Sequence, residues 1–341
     1  MTRFVLILVS IPLLARQKTD VIVMTNGDRI TCEIKQLNSG VLFASLDYVD
    51  GTISVNWSKV ARLQSSQLFN VETAGGLSYS GTLKTVEGPE DQPRKIEIVP
   101  DPPGRDTVVE QSEVVLANQY GDSVWRRLHG TFTSGFSYNK SNNTTQLNLG
   151  SNLTYLPERA KLELDYSSVL SSTSGTPQTT RNQVNFNAQR LLRWNNWYYA
   201  GTAGLLQSSA QGIKSQTIFG GGVGRYFWNT NSGRLGLTGG LALQNTHYTD
   251  RPTQHDVVGL IAGELYAFKF KKSNLVVTPV LLPSITDRGR IRFNLNTQYK
   301  IEIISNFWFN TTIYGNWDNR PPEGFVGSDY GTTVGITYSF H

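Results

Sequence analysis

The stretch Thr333-Val-Gly-Ile-Thr-Tyr-Ser-Phe340 alternates strictly and, with Tyr330 before it, presents one face made of Tyr330, Thr332, Val334, Ile336, Tyr338 and Phe340. Successive side chains of a strand point to opposite sides, so this face is apolar while the other is small and polar. The same pattern recurs upstream. Ile291, Phe293, Leu295, Tyr299 and Ile301 alternate with Arg290, Arg292, Asn294, Asn296, Gln298 and Lys300. Leu235, Leu237, Leu241 and Leu243 alternate with Arg234, Thr238 and Gln244, and Leu162, Leu164 and Tyr166 with Lys161, Glu163 and Asp165. Val184 and Phe186, then Leu147, Leu149, Leu153 and Tyr155, then Leu128, Phe132, Phe136 and Tyr138 repeat it. Segments of about 10 residues separated by turns are the cumulative signature of a transmembrane β-barrel. A soluble sandwich alternates too, with its apolar face as a dry core, so periodicity alone does not separate the two.

Loop lengths and aromatic placement do separate them. About twelve strands are expected, and every second connection is short: Pro157-Glu158-Arg159, Asn195-Asn196, Asn229 to Gly233, Lys271 to Asn274 and Ser305-Asn306. Several of the others are long and polar, at Ser171 to Thr180, Tyr248 to Gln254 and Asp318 to Gly327. An even count places both barrel ends on the short-turn side. Aromatics gather beside the short turns, with Trp194, Trp197, Tyr199, Trp228, Phe307 and Phe309 as the expected membrane-interface belt and Tyr198, Tyr226 and Trp308 among them. A thinner second belt is expected at Tyr138, Tyr314, Trp317 and Tyr330. In hydrocarbon every unpaired backbone group costs several kcal/mol, so the first strand must close on the last. Thr333, Gly335, Tyr338 and Phe340 resemble the C-terminal signal read by the outer-membrane barrel-assembly machinery, offset by one residue because His341 follows.

With 38% hydrophobic and 17% charged residues, composition by itself does not announce a membrane protein. The 32 Gly, 15 Tyr and 15 Phe beside a single Cys and 2 Met tilt it toward strands. Arg3 and the apolar run Phe4 to Leu14 read as a signal peptide over 1–15, since a membrane-spanning helix needs about 20 apolar residues. Cys32 falls inside a strand-like run, where a buried structural role is expected. Charge is split: Asp20 to Val124 holds 8 Lys+Arg against 15 Asp+Glu, a net −7, and Trp125 onward holds 20 against 11, a net +9. The basic residues lie near strand ends and loops rather than along one stripe, so no nucleic-acid partner is expected.

Between leader and barrel, Asp20 to Thr25 and Arg29 to Lys35 alternate around Asn26-Gly27, a strong hairpin signal. Gly75 to Lys84 overlays Asn26 to Lys35 without a gap, and Ser112-Glu-Val-Val-Leu116 echoes Ser58-Lys-Val-Ala-Arg62. The expected organisation is therefore a signal peptide at 1–15, a small SH3-like β module at 20–65, a second, repeat-like β module at 66–120, and an outer-membrane barrel at 125–341. The fold class is all-β: a C-terminal transmembrane antiparallel barrel of about 12 strands behind a small barrel-like periplasmic module.

The inward-facing candidates are Lys161, Glu163 and Asp165 on one strand and Arg290, Arg292, Lys300 and Glu302 on another. Charges of both signs either guide a solute or pair and fill the lumen, and a narrow pore, a plugged pore and a small binding cavity all stay open. The competing class is an enzyme, since some outer-membrane barrels hydrolyse lipids with Ser, His and an amide on the outer wall. His247 lies near Thr246 and Thr249 with no serine beside it, His129 and Thr131 should face the lumen, and no Gly-x-Ser-x-Gly or metal-ligand spacing occurs. No catalytic residue, metal or cofactor is therefore expected. The expected partners are outer-membrane lipid, the barrel-assembly machinery and a periplasmic envelope partner of the acidic module. A purely structural envelope role is the other alternative.

The opening Asn26-Gly-Asp-Arg-Ile-Thr31, the following Trp57-Ser-Lys-Val60, a barrel of this size and the terminal Tyr338-Ser-Phe340 together resemble the YdiY-like salt-induced outer-membrane protein family, a bacterial family built on a domain of unknown function. The resemblance spans nearly the whole mature chain. Cys32, where a glycine is usual, and His341, beyond the terminal aromatic, depart from it. It implies an outer-membrane location, with envelope or salt-stress response as the setting, and assigns no functional residues.

Overall fold

The computed structural model describes residues 18–89, 92–100, 104–119, 128–139, 144–157, 160–173, 175, 178–192, 195–249, 252–269, 273–304, 306–321 and 327–340. The expected leader, Trp194 and the side chains of Tyr138 and Phe340 lie outside the described residues.

Nine strands build the N-terminal module: β1 (Asp20–Met24), β2 (Arg29–Asn38), β3 (Val41–Ser45), β4 (Thr52–Asn56), β5 (Val60–Thr73), β6 (Ser78–Val86), β7 (Lys95–Pro100), β8 (Thr107–Glu110) and β9 (Val114–Gln119). They form one sheet in the order β4-β3-β2-β1-β5-β6-β7-β8, and β9 pairs with both β2 and β5. The strands β1, β2, β9 and β5 thereby close a small ring. The repeat is visible in the topology. Gly27 and Gly76 take φ of 91° and 78° in equivalent hairpin turns, and Ser58 and Ser112 occupy equivalent 3-10 turns at Trp57–Lys59 and Gln111–Glu113. Thr25 N donates to Lys59 O at 2.9 Å in one half, as Ala74 N does to Glu113 O at 2.7 Å in the other.

The two expected modules are halves of one body. β5 runs through the boundary drawn at 65/66, and a single core takes Ile22, Ile34 and Leu42 from one half and Val71, Ile98 and Ala117 from the other. The turns lock together at the seam: Trp57 Nε1 donates to Gln111 O at 2.9 Å, and Gln111 Nε2 donates to Trp57 O and Val60 O at 3.0 Å. A unit of about 50 residues cannot cover its own apolar face, which explains the fusion.

The barrel comprises β10 (Leu128–Asn139), β11 (Thr144–Tyr155), β12 (Ala160–Thr173), β13 (Thr179–Leu191), β14 (Trp197–Ser208), β15 (Ile213–Thr230), β16 (Gly233–Tyr248), β17 (Gln254–Lys269), β18 (Ser273–Pro283), β19 (Ile291–Ile304), β20 (Phe307–Asp318) and β21 (Ser328–Phe340). All twelve are antiparallel to their neighbours in chain order, and β10 closes on β21 from Gly130↔Phe340 to Ser134↔Ile336. The apolar faces point outward, with Phe136 66%, Phe219 72% and Leu241 58% exposed.

Tyr199, Trp228, Phe307 and Phe309 stand exposed on the outer wall near the short turns. Trp197 shares their side of the strand, and the Arg225 guanidinium lies 5.9 Å from its ring. Tyr198 and Tyr226 depart from the aromatic grouping: both are buried inside the barrel, their rings 4.7 Å apart. Consecutive strand residues face opposite ways, so a run such as Trp197-Tyr-Tyr199 cannot turn every ring to one side. Trp228 regains the outer wall through a register shift after Tyr226. Of the second belt, Trp317 and Tyr330 are exposed, whereas Tyr314 turns inward beneath Arg181, 5.8 Å from its ring.

Candidate functional site in the barrel lumen

The alternation that turns Leu162, Leu164 and Tyr166 outward sends Lys161, Glu163 and Asp165 of β12 inward. Lys161 Nζ pairs with Glu163 Oε1 at 2.7 Å, and Asn152 Nδ2 donates to Asp165 Oδ1 at 2.6 Å. Tyr226 OH donates to Gln189 Oε1 at 2.9 Å, Gln189 Nε2 reaches Glu264 Oε2 at 3.5 Å, and Lys161 Nζ lies 5.8 Å from the Tyr266 ring centre. Since β12 and β13 are not neighbours of β17, the last two contacts cross the lumen. Arg234 lies 4.9 Å over the Tyr226 ring. Gly224 makes room for this layer, because a Cβ there would run into the Tyr198 ring. Lys300 comes from β19 with Asp165 as its electrostatic neighbour, and Glu302 follows on the same inward face.

The N-terminal module seats on this end. Asn196 Nδ2 donates to Ala74 O at 2.7 Å, and Asn231 Nδ2 to Val114 O at 3.0 Å and Ser112 O at 3.2 Å. Gly76 is required twice over at the contact: its φ is positive, and a Cβ would lie 2.5 Å from Asn196 Oδ1. Glu72, at the end of β5, is buried and accepts from Asn229 Nδ2 at 3.4 Å. Burial pushes its carboxyl above the usual range, against the pull of Arg234, the Asn229 hydrogen bond and Lys161.

A second charged tier lies toward the other rim. Arg290 Nη2 meets Asp318 Oδ2 at 2.7 Å, its Nε reaches both Asp318 oxygens at 3.2 Å, and its Nη1 lies 3.5 Å from Asp256 Oδ2. Arg292 is buried beside it, 3.7 Å from the same Asp256 oxygen. The connections after β18 and β20 are stitched over this tier by Arg320 to Asp287 at 3.0 Å and Asn319 Nδ2 to Gly289 O at 2.8 Å.

Sequence reasoning missed Asp256, Glu264 and Asp318, which partner the candidates from other strands, and it set Gln189 and Arg234 on polar strand faces without singling them out as lumen residues. It also missed an apolar patch between the tiers, where Ala242, Val258, Leu260 and Leu282 pack with Ile218 and Val280. The run Leu275-Val-Val-Thr-Pro-Val-Leu-Leu282, apolar but for Thr278, was the available signal, because a barrel strand with apolar residues on both faces turns some of them into the lumen.

The strand register also brings Ser215 opposite His247, a proximity that sequence spacing conceals. His247 Nδ1 lies 2.7 Å from Thr253 Oγ1, and His255 Nδ1 lies 2.7 Å from Asn245 Oδ1, both on the exposed wall.

Among solved structures the chain is similar to the translocator domain of autotransporter NalP from Neisseria meningitidis, at 13% identity over 62% of this chain and 87% of that one, TM-score 0.36. It is similar also to the beta domain of the Bordetella autotransporter BrkA, at 11% identity over 62% and 98%, TM-score 0.32. A porin matches at 8% identity over 80% and 98%, TM-score 0.30. No curated protein matches the sequence. Residues 133–340, from within β10 to the end of β21, match the family described as "Protein of unknown function, DUF481", and the chain belongs to that family.

Proposed function

We propose that this chain is an integral outer-membrane barrel, with its N-terminal module on the periplasmic, short-turn side closing a narrow charged lumen that passes small polar solutes when the module lifts. The observation that carries the reading is the inversion of the barrel: large apolar side chains stand exposed all round the wall while its ion pairs are inside. Water does not favour that arrangement, whereas hydrocarbon does. The pairing of β10 with β21 from Gly130↔Phe340 to Ser134↔Ile336 closes the sheet on itself, as a lipid environment demands. The envelope salt-stress setting implied by the sequence resemblance belongs to the same proposal, as do an envelope partner for the acidic module and action without catalysis.

Planar-bilayer recordings test it. The full chain should show rare, small openings, and the combined Asn196→Ala, Asn231→Ala variant should open more often because the module's seat is weakened. Silence from both would remove solute passage and leave a structural envelope role. A second reading, lipid hydrolysis on the outer wall, draws on Ser215 opposite His247. Release of fatty acid from liposomes that vanishes in His247→Ala would decide for it.

A further inference from the structure

Arg290 and Arg292 are two residues apart and share Asp256, yet they are served unequally. Arg290 has a bidentate partner in Asp318 besides its contact with Asp256. Arg292, only 8% exposed, has no hydrogen-bond acceptor among the described residues for Nε or for Nη2, the latter standing 3.7 Å from Asp256 Oδ2. Those two nitrogens form one edge of the guanidinium, the edge that grips two oxygens side by side. On β20, Asn316 sits diagonally across the ladder from Arg292, since Arg292 pairs with Asp318 and Asn294 with Asn316. Its Nδ2 is likewise buried with no acceptor among the described residues.

Among the described residues, what this tier lacks is an acceptor. Asp256 Oδ1 receives Thr286 Oγ1 at 3.2 Å and Gln254 Nε2 at 3.4 Å, its Oδ2 is shared at 3.5 and 3.7 Å by Arg290 and Arg292, and Asp318 receives Arg290 and the Arg320 backbone N–H at 3.0 Å. Formal charges of Arg290, Arg292, Asp256 and Asp318 cancel. Arg181, over the Tyr314 ring at the next inward position of β20, adds a cation below. A buried donor left unmet costs free energy, more so when it is charged, so the site is incomplete in a way that an incoming oxyanion completes.

We propose that the long-loop mouth of the lumen holds a binding site for a compact oxyanion, a carboxylate or a phosphate, gripped by Arg292 Nε and Nη2 and flanked by Asn316 Nδ2. The inference rests on the reading of the lumen as a solute path only for how the ligand arrives. It is testable in detergent solution, without conductance.

The probes are inorganic phosphate and carbon-labelled acetate, added to the purified full chain in micelles and followed by phosphorus and carbon NMR line width. Saturable broadening of at least one probe is expected. Arg292→Lys keeps the charge and loses the planar edge, so binding should weaken by about tenfold or more in a variant that still shows folded-barrel mobility on a gel. Should that variant fail to fold, protection supplies the second measurement: the bound probe should shield Arg292 of the wild-type chain from phenylglyoxal, read by mass spectrometry. Absence of saturable broadening with both probes, equal broadening in folded Arg292→Lys, or no protection would overturn the proposal. A protein that binds phosphate but never conducts loses solute passage and keeps this site. One that conducts without binding either probe loses the site alone.

Discussion

The two halves of the molecule are written in the same alternating pattern and turn it in opposite directions. In the N-terminal module the apolar face of each strand closes on Ile22, Ile34, Phe69 and Val71, all fully buried. In the barrel the equivalent face, with Phe136, Phe219 and Leu241, is the outer wall. Period-2 alternation therefore specifies a strand and its two faces, and the surrounding solvent specifies which face is the inside. The glutamate-arginine and lysine-glutamate pairs follow that choice. Arg62 and Glu87 pair on the surface of the module, whereas Lys161 and Glu163 pair inside the barrel.

The sharpest way to break the comparison is to make the same kind of truncation on both sides of it. Phe69→Ala empties a fully buried site and should destabilise the module by about 3–5 kcal/mol, seen as a lower denaturant midpoint for its unfolding. Phe136→Ala removes a ring that contacts the surroundings rather than a protein core, and should leave the closed barrel's gel mobility unchanged. Equal sensitivity of the two would show that the barrel wall is packed against protein after all.

A charge gives the next largest effect. Leu241 lies at the middle of β16 on the outer wall, and Leu241→Arg should cost about 2–4 kcal/mol of barrel stability in bilayers if that height is the membrane midplane. The change is measured by refolding into vesicles across a denaturant series, and a cost near zero would mean that water reaches the wall. At the seam of the module, Gln111→Ala withdraws the donor that bridges Trp57 O and Val60 O, two hydrogen bonds at once, and leaves Trp57 O with the Val60 N–H and Val60 O with Arg94 Nη1 at 3.3 Å. A loss of about 1–3 kcal/mol is expected in the module's unfolding midpoint, with both halves melting together because they share β5.

The barrel was legible because its evidence is cumulative: twelve weak strands, alternating turn lengths and one closing strand all constrain the same architecture. The repeat was legible from Gly27 and Gly76, and the seam was not, since nothing in the sequence says that the strand after Trp57 also opens the second copy. Lys161, Glu163, Asp165, Arg290 and Arg292 could be assigned to the inward face from parity alone. Their partners Glu264, Asp256 and Asp318 could not, because contacts between strands distant in sequence depend on register and shear. Tyr198, Tyr226 and Tyr314 misled for a related reason: aromatic content was read by position along the chain, where parity decides the side. Cys32 shows the local limit of such reading. Its strand placement was evident, and burial, with Asp20 and Glu33 nearby, pushes its thiol up to about 12, so it should resist alkylation at pH 8 until the module unfolds.

The smallest effect concerns the place where the two halves meet. Glu72 belongs to the module by sequence and to the lumen by position, with Arg234, Asn229 and Lys161 around it. Its carboxyl is held above the ordinary 4.5 chiefly by burial. A carboxyl raised on seating favours the seated, protonated form, so its contribution is complete below its unseated value and is lost as pH rises through the seated one. The module should therefore grip the barrel more firmly in acid, and a protease cutting the segment between them should act more slowly at pH 4.5 than at pH 7. Glu72→Gln mimics the protonated group at every pH and should abolish that difference while keeping the slower rate. If instead the variant is cut faster than the wild type at pH 7, the ionised carboxylate is what Arg234 and Lys161 hold, and the cations rather than burial govern the seat.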